Sequence, residues 1–160
     1  MAHPSGYSRT QIILHWVIAV LILFQFLFHD AMETAFQAIE DGTAEPGGLH
    51  PHAVFGTIVL GLALWRLILR RRRGAPALPE GGNPIQDFIA TWTHRVLYAL
   101  LFLIPITGGM AWNGGLLIAA EVHGMLFFLA LALIVLHIVG AIYHQYVLKD
   151  GLIRRMMKAE

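Results

Sequence analysis

The sequence predicts an all-α integral membrane protein: a single domain of 160 residues built as a four-helix bundle with both termini in the cytoplasm. Three observations predict it. The first is composition. The chain is 57% hydrophobic and 13% charged, with mean hydropathy +0.64, whereas a soluble domain is about 25% charged. A chain this short cannot hide so much apolar surface in one water-soluble core, which argues against an apolar soluble bundle. The second is the presence of four apolar stretches, each able to supply the roughly 20 residues that cross about 30 Å of hydrocarbon. The third is the placement of charge: every Lys and Arg falls on one side of these stretches.

The first span is expected at about 8–29 and contains "QIILHWVIAVLILFQFLF", Gln11 to Phe28. Its run is long and no small-residue cleavage site follows, so it reads as a retained membrane helix, not a signal peptide. Residues 29–51 read as a polar loop. The second span, about 51–71, carries "AVFGTIVLGLALWRLIL". "RRRRGAPALPEGGNP", residues 70–84, is a Pro/Gly-rich turn. The third span, about 86–112, carries "TWTHRVLYALLFLIPITGGMAW", in which Pro105 can introduce a kink. "NGG" at 113–115 is a very short turn, and the fourth span runs from about 116 to 147. The runs lack strand alternation, and in lipid only helices or closed barrels satisfy the backbone. No internal repeat is evident.

The eleven cations are Arg9, Arg66, Arg70, Arg71, Arg72, Arg73, Arg95, Lys149, Arg154, Arg155 and Lys158. Residues 29–51 and 113–122 contain none, but carry Asp30, Glu33, Glu40, Asp41, Glu45 and Glu121. The positive-inside rule therefore predicts cytoplasmic termini. Beside a membrane helix the tetra-arginine run is a topology anchor, and no nucleic-acid partner is expected. The absence of cysteine removes thiolate catalysis and thiolate metal sites.

Histidines interrupt the greasiest segment, "EVHGMLFFLALALIVLHIVGAIYH". His123 and His137 are fourteen positions apart, about 21 Å along a helix and about 40° apart in azimuth, so both face one way. An imidazole in hydrocarbon needs a partner. His15 lies near the inner end of the first span and His52 at the outer start of the second. They offer one pair per leaflet: His52 with His123, and His15 with His137. Paired imidazoles from facing helices suit axial ligation of b-type haem. Zinc would want more N, S or carboxylate donors packed tetrahedrally. Gly56, Gly124 and Gly140, close to these histidines, can admit a flat ring. On depth alone, His144 competes with His137 as the inner ligand, and His94 also lies near the inner side.

"YSRTQIILHW" at 7–16, "HAVFGTIVLGLALWRLILR" at 52–70, "THRVLYALLFLIPITG" at 93–108 and the stretch from His123 to Met157 together resemble the bacterial di-haem cytochrome b561 family, which includes superoxide oxidases that pass electrons to ubiquinone. The resemblance implies four helices in the bacterial inner (plasma) membrane and two haem b groups ligated by His15, His52, His123 and His137. It places His144 near a quinone, with Trp16 beside it, and makes ubiquinone a substrate, whereas from the sequence alone His144 can equally hold a haem propionate or meet lipid headgroups. Arg9, Arg66 and Arg95 are candidate propionate partners, with snorkelling to the interface the competing reading.

A six-coordinate haem favours outer-sphere electron transfer over oxygen chemistry at iron. The expected function is transmembrane electron transfer between a periplasmic partner and the quinone pool. Two sequence features bear on that partner. The turn "NGGLLIAAE" is shorter than expected for a superoxide oxidase, and the acidic outer side suits a cationic c-type cytochrome better than the superoxide anion. The chain can act alone as a superoxide:quinone oxidoreductase, or as the cytochrome b subunit of a larger redox complex. A non-redox transporter or assembly protein that uses its histidines for protons or metal is the rival class.

Overall fold

The computed structural model describes Pro4 and residues 6–77 and 83–159. Five helices form among them: α1 (Arg9–Leu27), α2 (Asp30–Glu40), α3 (Pro51–Arg73), α4 (Pro84–Gly114) and α5 (Leu117–Tyr143). The described residues contain no strand. α1, α3, α4 and α5 are long and apolar enough to cross a membrane, the last continuing to Leu148 through a π-type turn. α3 packs against both α1 and α4, and α4 lies along α5. Neither α1 nor α3 is closely packed along α5. The apolar surface turns outward: Val20 is 62% exposed, Phe128 70% and Val139 56%. Lipid covers such side chains in a membrane.

The termini of these helices are set by local chemistry. Ser8 caps α1: the Gln11 N–H donates to Ser8 Oγ (3.3 Å), and the Ser8 N–H donates back to Gln11 Oε1 (3.0 Å). This is a capping box, which satisfies two orphan donors reciprocally. Gln11 Nε2 also donates to the Gly74 carbonyl at the end of α3 (3.1 Å). Pro51 and Pro84 open α3 and α4 at positions that need no N–H. Gly115 ends α4 at φ +62°, and a Cβ there would sit 2.8 Å from Pro46 Cγ. Only glycine fits both demands, and the tight turn folds α5 back along α4. Of the Pro/Gly-rich turn expected at 70–84, residues 78–82 lie outside the described residues.

The polar loop expected at 29–51 is in part helical, because α2 occupies Asp30–Glu40. Met32, Ala35, Phe36 and Ile39 recur at helical spacing and are half-buried, while Asp30, Glu33 and Glu40 are exposed. Asp30 and Glu33 sit in the first turn, where the helix dipole favours anions. Average polarity conceals this segment, and its periodicity is what makes it helical.

At one end of the bundle, here the basic end, Trp16 Nε1 donates to the Met156 carbonyl (2.9 Å) and Arg155 to the Ala77 carbonyl (2.9 Å). At the other, acidic end, Gln25 Nε2 donates to the His52 carbonyl and Trp112 Nε1 to the Gly48 carbonyl, both at 2.9 Å. Gln11 is 4% exposed and joins α1 to α3. Gln11→Ala deletes one side of the capping box and that joint, and should cost about 1–2 kcal/mol. A lowered thermal midpoint of the detergent-solubilised protein, with no such drop for the exposed Thr10→Ala, is the expected measurement.

Candidate functional site

Two pairs of imidazoles meet across the interior. His15 of α1 faces His137 of α5 with ring centroids 6.2 Å apart and planes at 75°. His52 of α3 faces His123 of α5 at 6.1 Å and 68°. All four are half-buried. The first pair lies toward the basic end and the second at the acidic end. Along α5 they are separated by about 21 Å, the rise of fourteen residues. Because α1 and α3 stand off from α5, side chains bridge the gap between backbones.

The spacing can be tested against a metal. With metal–nitrogen bonds of about 2.0 Å and each ring centre about 1.1 Å behind its nitrogen, trans imidazoles on one iron have centroids roughly 6.3 Å apart. Both pairs fall within about 0.2 Å of that figure. The donor chemistry also fits. His123 Nδ1 lies 2.8 Å from the Ile104 carbonyl oxygen. A carbonyl only accepts, so Nδ1 carries the proton and Nε2 keeps its lone pair. His52 Nδ1 is buried without a hydrogen-bond partner among the described residues. Among the described residues the one compact set of three metal-type donors is the exposed His29, Asp30 and Glu33. Neither pair therefore has the further donors a tetrahedral zinc site requires.

The other expected site residues are distributed as follows. His144 pairs with no second imidazole among the described residues; its Nδ1 lies 2.5 Å from Asp150 Oδ2, and Asp150 Oδ1 is held by the Leu152 N–H. Trp16 touches His15 edge-on at 5.3 Å and lines an open cleft of about 330 Å³ with Ile12, Met156 and Met157; His144 is not part of that lining. Arg66 is half-buried and reaches the Gln11 carbonyl (2.6 Å) and the Tyr98 hydroxyl (3.0 Å). Arg9 is exposed, and Arg95 is exposed and lies over the Trp92 ring at 5.1 Å. A Cβ at Gly124 or Gly140 would meet nothing within 4 Å, and one at Gly56 would meet Gln25 Nε2 at 3.6 Å.

Sequence reasoning gave Tyr98 no chemistry, yet it anchors Arg66. His94 comes closest of all to His137, with centroids 4.9 Å apart, while its Nδ1–H donates to its own helix at the Ala90 carbonyl (2.6 Å). The six-residue interval between His144 and Asp150 was a readable signal for their pairing, since a helix that ends between them can curl back.

Membrane-spanning helices that bring imidazoles together in two pairs, with ring centroids 6.1 and 6.2 Å apart, suit a membrane cytochrome of the b type. Residues 6–159 match the family described as prokaryotic cytochrome b561, and the chain belongs to that family. It is 41% identical over 160 residues to the "Cytochrome b562" of Cereibacter sphaeroides, covering 99% of each chain. It is 27% identical over 177 residues to the "Probable superoxide oxidase CybB" of Yersinia pestis, covering 94% of this chain and 95% of that one. It is 25% identical over 174 residues to "Cytochrome b561 homolog 1" of Escherichia coli, covering 96% and 97% respectively. The protein is thus a multi-pass, haem b-binding protein of the bacterial inner membrane whose family function is transmembrane electron transfer.

Proposed function

We propose that this chain carries electrons across the bilayer between a redox partner at its acidic end and the quinone pool, using two haem b groups. His52 and His123 hold one and His15 and His137 hold the other. The observation that carries this reading is the pair of 6.1 and 6.2 Å imidazole separations at opposite ends of one bundle. Each haem, when bound, supplies a one-electron ferric/ferrous couple. The protein's part would be to supply both imidazoles of each pair to the iron, which would close it to oxygen and leave outer-sphere transfer. Arg66, with Tyr98 and Gln11 beside it, offers the charge-assisted donors that a propionate near the basic pair needs.

The acidic end exposes Asp30, Glu33, Glu40, Asp41, Glu45 and Glu121 and no Lys or Arg. That field attracts a cationic protein and repels an anion. A basic c-type cytochrome is therefore favoured over superoxide as the partner, even though one relative is named a probable superoxide oxidase. Haem-replete expression should give a sharp reduced b-type α-band, about two haems per chain and two steps in a redox titration. Steady-state ubiquinone reduction driven by superoxide should be slow, and oxidation or reduction by a basic c-type cytochrome fast and suppressed by salt. Rapid, salt-insensitive superoxide-driven turnover would reverse the choice of partner. A colourless preparation would remove the cytochrome reading.

A further inference from the structure

α4 supplies none of the four histidines of the two pairs, yet His123 is fitted into it. The His123 ring lies directly over Gly108. A Cβ there would stand 2.8 Å from Nδ1 and 2.9 Å from Cε1, closer than real contacts allow. One turn earlier on the same face, the Ile104 carbonyl accepts the Nδ1–H at 2.8 Å. Thr107 Oγ1 reaches that same carbonyl at 3.0 Å and the Leu103 carbonyl at 2.8 Å. The neighbouring glycine, Gly109, would meet nothing within 4 Å, so the notch is specific to one position.

We propose that α4 is the positioning element for the acidic-end haem: the Gly108 notch and the Ile104 carbonyl fix the rotamer and tautomer of His123, and Thr107 tunes the strength of that hydrogen bond. This rests on the assignment of His123 as an axial ligand. A hydrogen bond from the distal ring nitrogen sets which nitrogen faces the metal and raises the basicity of the ligand. A methyl group on Gly108 would clash with the ring, and a shift of the ring that relieves the clash would carry Nδ1 off the carbonyl. Thr107 competes for the same lone pairs. Removing its hydroxyl leaves the carbonyl a stronger acceptor, gives the imidazole more anionic character, stabilises the ferric state and lowers the midpoint potential of that haem alone.

The test uses the full-length holoprotein purified in detergent, comparing Gly108→Ala, Gly109→Ala, Thr107→Val and His123→Ala. Haem stoichiometry, the low-spin ferric EPR signals and a redox titration are read for each. Gly108→Ala should lose the acidic-end haem or, where haem is retained, shift its EPR signal and midpoint, with the other haem unchanged. Gly109→Ala should match the parent. Thr107→Val should keep both haems and lower one midpoint. If His123→Ala loses one haem while Gly108→Ala keeps both with unshifted EPR signals and midpoints, the positioning role is refuted. If His123→Ala keeps two low-spin haems, the ligand assignment fails instead. Should Gly108→Ala not fold, Thr107→Val decides: an unmoved midpoint refutes the proposal and a lowered one supports it.

Discussion

Replacing His52 or His123 by alanine should halve the low-spin b-type absorbance, taking the chain from about two six-coordinate haems to about one. The remaining signal should belong to the basic-end site. His15→Ala and His137→Ala should give the reciprocal result. The expectation is sharp because the two pairs share only α5 and lie about 21 Å apart along it, beyond the range at which neighbouring substitutions usually couple. Loss of one imidazole leaves its partner facing an open coordination position, so any retained iron becomes high-spin and leaves the low-spin count. His144→Ala is the informative control. Its ring is engaged by Asp150 and lies opposite no other imidazole among the described residues, so both low-spin haems should survive. If His144→Ala abolished the basic-end haem while His137→Ala spared it, the pairing of His15 with His137 would be the wrong one.

How much of this was readable beforehand follows from the range of each interaction. Membrane spans announce themselves through composition, since hydrocarbon demands about 20 apolar residues whatever the neighbours are. The two imidazole pairs were accessible because two histidines on one helix, fourteen positions apart, fix both a common face and a depth separation. What stayed hidden depends on how helices are registered against one another. Nothing within "HRVLYALLFLIPITGG" says that Gly108, and not Gly109, meets a ring on α5. Tyr98 looks like packing until α3 brings Arg66 against it. The "YSRTQ" stretch illustrates the opposite case. It was legible as part of a family signature, and its residues turn out to do local work: Ser8 and Gln11 cap a helix, and Gln11 then fastens that helix to α3. α2 was missed because its six apolar residues, three of them alanines, are interleaved with polar ones over eleven positions and lower its polarity too little to stand out.

Arg66→Met should weaken the fold by roughly 2–4 kcal/mol and lower the midpoint of the basic-end haem alone, by an amount on the order of tens of millivolts. Arg66 stands on α3 and donates to α1 through the Gln11 carbonyl and to α4 through the Tyr98 hydroxyl. In an α-helix the carbonyl of Gln11 also receives the N–H of residue 15, so the guanidinium grips the very turn that carries His15. Each charged hydrogen bond contributes about 1.5–3 kcal/mol, but the two lost partners retain other bonds or can donate elsewhere, which keeps the total below their sum. The redox effect has a separate origin. A fixed cation near the iron disfavours the extra positive charge of the ferric state, so removing it stabilises ferric haem and the midpoint falls. Arg66→Lys separates the two effects. It keeps the charge and should nearly restore the midpoint, yet lacks the planar fork that spans Gln11 and Tyr98, so most of the stability loss should remain. Thermal unfolding and redox titration of the two variants read these effects independently. A midpoint that falls equally in both would show that Arg66 acts on the haem through geometry alone and not through its charge.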